Sequence, residues 1–227
     1  MFASTRQLAK TLGLRAAACY AIARALERVS FGALRLINYQ FVAQPVAPED
    51  GVAPGRSGSI ELRRLGRDDP LVAQFPRPPE VIAKRFRDGA HCLAAVKAGR
   101  LVGFLWYMER EYLEDEVRSC YRFNPATAVW DFDVYVDPEF RLGRLFARLW
   151  EVAHRDLRAA GYRWTISRIS AFNPASLAAH ARLGARRLGG AVFLVAGPLQ
   201  VSFASIAPHF HLGWRVDMRP VYFLDPR

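Results

Sequence analysis

Residues 129–150 read VWDFDVYVDPEFRLGRLFARLW, and the spacing of their apolar side chains changes midway. Up to Val136, polar and apolar residues alternate, which predicts a β-strand with one buried face. Beyond the Asp137-Pro138 pair the pattern becomes that of an amphipathic helix, predicted over residues 142–160 and closed by Gly161. This stretch therefore places one strand directly before one helix.

The segments on either side extend this plan. Before residue 129 the pattern predicts a strand, a short helix and a hairpin that turns at Ala98-Gly99, at SIELRRL (59–65), PPEVIAKRFRDG (78–89) and HCLAAVKAGRLVGFLWYMERE (91–111). After the long helix it predicts a strand, a helix and a last strand, at YRWTISRIS (162–170), NPASLAAHARLG (173–184) and ARRLGGAVFLVAG (185–197). This order of elements predicts a mixed α/β fold.

The first 45 residues are predicted to form a basic amphipathic helical extension. Apolar residues with helical spacing and intervening arginines run through residues 8–40. Such a segment packs on the rest of the chain or on a second subunit, as in a homodimer, or it lies on an anionic membrane. Prolines and glycines indicate a linker over 46–58. We expect the folded domain over 59–200, followed by a C-terminal extension over 201–227.

The 227 residues carry a formal net charge of +11, most of it from arginine. This charge suits phosphate, an acidic acyl carrier protein, an anionic lipid or nucleic acid, or it reflects an arginine-rich composition. Nucleic acid is disfavoured because the chain has no RNP-like motif and no run of lysine and arginine. Cys19, Cys92 and Cys120 lack the paired spacing of metal ligands, so we expect no metal and a reducing cytoplasm.

The N-terminal apolar run is interrupted by Arg24, Glu27 and Arg28 well short of the length of a membrane span. It also lacks the continuous apolar core of a signal peptide. The sequence therefore predicts a cytoplasmic protein, with peripheral contact at the inner face of the membrane through residues 1–45 as an alternative.

Residues 58–200, with their KAGRLVGF hairpin, VYVDPEFR strand end and NPASLAAHARLG helix, resemble the GNAT (GCN5-related N-acetyltransferase) superfamily. The resemblance implies a mostly antiparallel, splayed sheet flanked by helices. It also implies an enzyme that moves an acetyl or longer acyl group from acyl-coenzyme A to an amine by direct attack.

The turn between strand and helix is the segment to which the resemblance assigns the cofactor. Members of the superfamily hold the coenzyme A pyrophosphate on the backbone N–H groups of a short segment. Its pattern is Gln or Arg, any two residues, Gly, any one residue, and then Gly or Ala. Arg141 matches the first position, Gly143 lies one residue early, and Arg144 and Phe146 replace the two glycines. The cofactor-binding residues that the resemblance implies are Val134, Val136, Arg141, Gly143, Arg144, Leu145 and Phe146.

A second motif, at Asn173, Ser176, His180 and Leu183-Gly184, is similar to the form found in phosphinothricin-acetyltransferase-like members. Many members carry Tyr at the place of His180, where it protonates the departing thiolate, so the resemblance implies that His180 is the general acid. The alternative is a histidine that only packs beside the cofactor. Asn173, followed by a proline, is predicted to cap the helix, and with Ser176 the resemblance adds a cofactor contact.

The chemistry also needs a base that takes a proton from the attacking ammonium. Asp131 and Asp133 share one face of the strand if the strand is regular, so they are the candidates, with Glu109 and Glu111 in reserve. Exposure of both aspartates to solvent on a half-buried strand explains the same pattern.

Two other functions stay open. One is an acyltransferase that takes a long-chain donor or an acyl carrier protein at a membrane surface. The other is a non-catalytic module that keeps the fold and binds an anionic ligand through its arginines.

Overall fold

The computed structural model describes residues 13–47, 59–141 and 143–226. The helices are α1 (Leu14–Val29), α2 (Pro79–Arg87), α3 (Leu145–Ala159) and α4 (Pro174–Arg182), with short 3-10 helices at Pro70–Gln74 and Pro138–Phe140. The strands are β1 (Leu34–Pro45), β2 (Ile60–Leu65), β3 (His91–Lys97), β4 (Arg100–Met108), β5 (Tyr112–Leu113), β6 (Cys120–Arg122), β7 (Ala128–Val136), β8 (Trp164–Ser170), β9 (Arg186–Ala196), β10 (Leu199–Ala204), β11 (Phe210–Gly213) and β12 (Val221–Phe223). The mixed α/β fold with mostly antiparallel strands is confirmed.

The chain divides into two compact units. The first unit takes in the described parts of 1–45, 111–124 and 166–227, and the second unit those of 46–110 and 125–165. In the second unit four antiparallel strands follow the order β2-β3-β4-β7. In the first unit the strand order is β11-β10-β9-β1-β8, and a small sheet of β12, β6 and β5 adds a parallel pair between β12 and β6.

Local sequence explains the turns that were predicted. The β3–β4 hairpin turns through Ala98 and Gly99, whose φ angles of 47° and 75° lie in the left-handed region. Gly161 and Gly184, at φ 90° and 80°, follow α3 and α4 as the sequence indicated. The predicted helices over 78–89 and 173–184 and the strands of the 59–197 region are likewise confirmed.

A close approach at Gly103 positions the start of α3 in the second unit. A Cβ atom at Gly103 would lie 3.0 Å from the carbonyl oxygen of Tyr135 and 3.4 Å from side-chain carbons of Leu145 and Leu149. Any larger residue would push β7 or α3 away from β4. The missing side chain therefore lets strand, turn and helix pack tightly together.

The helical prediction for residues 8–40 is wrong beyond residue 29, and its first residues, 8–12, lie outside the described chain. Residues 34–45 form the strand β1, which pairs antiparallel with β9 from Leu34↔Ala196 onward. Ile37, Tyr39 and Phe41 alternate with more polar residues and are buried, which is the period of a strand. The segment before Pro45 is thus part of the first unit's sheet.

The predicted C-terminal extension also supplies regular structure. Strand β10 runs across the expected boundary at residue 200, and β11 and β12 follow it. Of the predicted linker over 46–58, residues 48–58 lie outside the described chain. Among the described residues, no helix is both long and apolar enough to cross a membrane.

Candidate functional site

A β-bulge interrupts β7 at the residues that were predicted to be catalytic. Trp106 of β4 faces Phe132 and Phe104 faces Tyr135, so two residues of β7 stand opposite one residue of β4. One of these two is Asp133, whose φ of 47° places a non-glycine residue in the left-handed region. Bulges of this kind re-aim a side chain and take backbone groups out of the ladder.

Two arginines of the second unit hold the Asp133 carboxylate. Arg77 donates two hydrogen bonds to it, that from Nε measuring 2.9 Å, and Arg85 Nη1 donates at 2.6 Å. The guanidinium of Arg85 also stacks on the rings of Trp106 and Phe132, 5.4 Å and 5.2 Å from their centroids. The Asp133 carboxylate is therefore held in an ionic cluster with two arginines, one of which belongs to α2.

Asp131 lies on the other face of the strand. It pairs in register with Tyr107, whereas Phe132 pairs with Trp106, and residues paired directly in an antiparallel ladder point to the same side. Asp133 contacts Arg85, whose guanidinium stacks on the Phe132 ring, so Asp133 lies on the same face as Phe132. The expectation that both aspartates share one face is wrong, because the bulge breaks the regular alternation. Asp131 itself is 2% exposed.

The turn from β7 to α3 holds the predicted pyrophosphate segment. Arg141 Nε donates to the carbonyl of Val136 at 3.0 Å, and the N–H of Gly143 donates to Phe140 at 3.1 Å. Leu145 begins α3, and Arg144 before it makes no side-chain cap. The Gly143 N–H is thus already used inside the turn.

Helix α3 nevertheless begins in a way that fits an anion. Its first turn contains no acidic residue and receives no side-chain cap, so no carboxylate of that turn offsets the positive end of its dipole. Arg144 is exposed beside them, with Glu151 3.8 Å away. The nearby carboxylates of Asp137 and Glu139 are paired with Arg100, at 2.7 Å and 3.1 Å. This arrangement fits a ligand that carries phosphate.

In the first unit, α4 carries the second predicted motif. Asn173 caps the helix as expected, its side-chain oxygen accepting the Ser176 N–H at 3.1 Å. His180 is buried, and its Nδ1 lies 3.1 Å from the side-chain oxygen of Gln44. Burial lowers the pKa of His180 from 6.5 to about 4. At neutral pH only the uncharged imidazole is present, so only that form of the predicted general acid is compatible with the structure.

This burial predicts a loss of stability in acid. The pKa of His180 is lowered in the folded chain. Between about pH 6.5 and pH 4 the unfolded chain therefore binds a proton at His180 that the folded chain does not bind, and this favours unfolding. His180 alone should lower the free energy of unfolding by about 2 kcal/mol near pH 5 relative to pH 7. Urea unfolding of the wild type and of His180→Leu at both pH values measures this difference.

His154 of the second unit provides an internal comparison, because burial also lowers its pKa to about 4. The His180→Leu chain should therefore keep the acid sensitivity due to His154 and lose only the part due to His180. Equal losses of stability between the two pH values in both proteins would contradict the prediction.

The reserve candidates Glu109 and Glu111 are both half-exposed. Glu109 lies 3.7 Å from His91, and Glu111 accepts a hydrogen bond of 2.6 Å from Arg122. This arginine lowers the pKa of Glu111. Both carboxylates are paired at the surface, where they resemble ordinary ion pairs.

Sequence reasoning missed an ionic cluster in the first unit. Arg168 of β8 binds Glu114 with two hydrogen bonds of 2.8 Å, and the Glu114 side chain is fully buried. The Arg168 guanidinium also lies 4.4 Å from the centroid of the Tyr39 ring, and the Tyr39 hydroxyl donates to Glu116. No local motif marks these residues; an arginine inside a predicted strand was the one available signal.

A cavity of about 700 Å3 opens beside this cluster within the first unit. Its wall is formed by α1, by the first half of β1, by Glu116 and by the segment from Ser170 to Ala175. The predicted cap residue Asn173 belongs to this wall. Its wall mixes apolar side chains with charged ones, among them Arg35 and Glu116, and a concave space of this size is typical of a small-molecule site.

Comparison with known proteins identifies a family whose sequence model this chain matches. Residues 60–185 match the family model described as the acetyltransferase (GNAT) family. A tandem GNAT protein from the clavulanic acid biosynthesis pathway has a similar structure, with a TM-score of 0.51 and 19% identity over 72% of this chain and 55% of its own. A Drosophila protein has a TM-score of 0.50 and 16% identity over 79% of this chain and 57% of its own.

At these identities the likeness shows the fold alone. The chain spans little more than half the length of either protein. No curated protein sequence matches it.

Proposed function

Since the chain belongs to the GNAT acetyltransferase family, we propose that it transfers an acyl group from acyl-coenzyme A to an amine by direct attack. Membership of the family supports acyl transfer in general, and the donor and the acceptor are our proposal. The observation that carries it is the bulged strand β7 leading into the uncapped start of α3.

The start of α3 would hold the phosphates of the donor. Leu145 and Phe146 lie at the positive end of the α3 dipole, and Arg144 and Arg141 supply positive charge beside them. The bulge lies between Phe132 and Tyr135 and takes Val134 out of the register with β4, and we assign the backbone of Val134 to the donor. The contact predicted for Val136 in the second unit and those predicted for Asn173 and Ser176 in the first unit stay predictions.

The bound donor supplies a thioester carbonyl, and the protein must remove a proton from the acceptor ammonium so that the free amine can attack this carbon. We assign this proton to Asp131, because the Asp133 carboxylate is already engaged by two guanidinium groups. The C–N bond forms as the C–S bond breaks, coenzyme A leaves as the thiolate, and the neutral imidazole of His180 is proposed to donate a hydrogen bond, not its proton, to the departing sulfur. Asp133 then has the separate task of holding the bulge in shape.

Replacing Arg144 with alanine is expected to weaken acyl-coenzyme A binding about tenfold, because one charge-assisted contact to a phosphate contributes about 1.4 kcal/mol. Isothermal titration with acetyl-coenzyme A and with octanoyl-coenzyme A measures the affinity, and the better donor shows which acyl length the protein prefers. Desulfo-coenzyme A, which keeps the phosphates, should show the same loss.

Arg155→Ala is the matched control, since Arg155 lies on the same helix, is exposed and pairs with Asp156. It should bind as the wild type does. No binding of either donor to the wild type would overturn the proposal and favour a carrier-protein donor or the non-catalytic module. Equal losses in both variants would remove Arg144 from the donor site.

A further inference from the structure

The cavity of the first unit combines charge with an aromatic wall. Tyr20 of α1 and Phe172, which follows β8, meet edge to face with ring centroids 5.4 Å apart, and both line the cavity. Leu36 and Ile37 of β1 add aliphatic surface. These walls suit the apolar body of a small molecule, which gains by leaving water.

Glu116 presents its carboxylate to this space from a fixed position. Its side chain is 46% exposed, and its carboxylate accepts a hydrogen bond from the Tyr39 hydroxyl. The guanidinium of Arg35 holds the same residue by its main-chain carbonyl, at 3.1 Å. A carboxylate has about four acceptor positions, so the Tyr39 hydroxyl leaves room for another donor.

Glu116 is the more distant of the two carboxylates that pair with Arg168. The closest partner of Arg168 is Glu114, bound twice at 2.8 Å, whereas Glu116 lies 3.7 Å from this arginine. Burial raises the pKa of Tyr39, so the hydroxyl that touches Glu116 stays neutral. The other acidic residue of the wall, Glu27, forms an ion pair with Arg24 on the same helix.

We propose that this cavity binds a small primary ammonium carried on an apolar, aromatic-sized body, with Glu116 as the anchor of the ammonium group. The inference goes beyond the proposed function, because the residues that line this cavity all belong to the first unit. Glu116 accepts hydrogen bonds from the ammonium, and the walls at Tyr20 and Phe172 enclose the apolar body of the ligand.

Three probes of nearly the same shape and different charge test this inference without any acyl donor. Ligand-observed NMR titration of the full chain uses phenethylamine, which is a cation at neutral pH, phenethyl alcohol, which is neutral, and phenylacetate, which is an anion. We expect phenethylamine to bind at least about tenfold more tightly than the other two, the gain of one charge-assisted contact.

Glu116→Gln should remove this preference, lowering the affinity for phenethylamine about tenfold and leaving that for phenethyl alcohol unchanged. Glu111→Gln is the matched control, because Glu111 is a half-exposed carboxylate of the same unit that pairs with Arg122 and does not line the cavity. It should bind all three probes as the wild type does.

Equal binding of the three probes, binding of none, or a cation preference that survives Glu116→Gln would overturn the inference. These outcomes are independent of the proposed function, which fails if acyl-coenzyme A does not bind. If the wild type binds phenethylamine through Glu116 but binds no acyl donor, the proposed amine site is supported and the proposed transfer reaction is contradicted.

Discussion

Replacing Asp133 with asparagine is expected to lower the free energy of unfolding by about 3 kcal/mol, the usual cost of leaving a buried charge without its partner. Arg77 and Arg85 converge on this carboxylate, whose side chain is 13% exposed. Asparagine tolerates the left-handed conformation that Asp133 adopts, so the substitution removes the charge and keeps the backbone preference. Urea unfolding at neutral pH measures the change.

Asp217→Asn serves as the control, because Asp217 forms an exposed ion pair with Arg215. Its effect should be below about 1 kcal/mol. The same Asp133 variant also tests which aspartate is the base. If folded Asp133→Asn keeps its turnover number, Asp133 is structural; unchanged stability with a large loss of turnover would make Asp133 the base instead of Asp131.

Replacing Glu114 with glutamine should cost about 3–5 kcal/mol, because it removes a fully buried carboxylate from a guanidinium that is only 29% exposed. Arg168 binds Glu114 through two parallel hydrogen bonds, and the Glu114 side chain has no exposed surface. The Glu114 carboxylate also accepts the backbone N–H groups of Asp115 and Glu116, so its loss loosens the segment that presents Glu116. Thermal and urea unfolding both report the loss.

Glu61→Gln is the exposed counterpart, since Glu61 lies 3.7 Å from Arg63 at the surface of the second unit. It should change the free energy of unfolding by less than about 1 kcal/mol. A Glu114 variant as stable as this control would show that Arg168 finds enough stabilisation from Tyr39 and Glu116.

Several features were predictable because they depend on neighbouring residues. The turn at Ala98 and Gly99 and the glycines that close α3 and α4 follow from backbone sterics alone. The cap formed by Asn173 joins it to Ser176, only three residues further along the chain. These local rules, together with apolar periodicity, were enough for the order of elements from β2 to β9.

The N-terminal strand shows where such rules fail. Residues 34–45 follow a helix with little interruption, and their apolar positions fit a helix face nearly as well as a strand. The strand forms because ten of its residues pair with β9, about 150 residues further along the chain. Long-range pairing of this kind overrides local preference.

The candidate site divides in the same way. The sequence by itself determined the family, the segment that begins α3 and the capping motif of α4, because each is written in consecutive residues. Only the tertiary structure decided that the bulge separates Asp131 from Asp133 and that burial keeps His180 neutral. It also decided that Glu116 meets Tyr39, 77 residues away, beside a cavity. These depend on strand register and burial, which are set by contacts between distant segments.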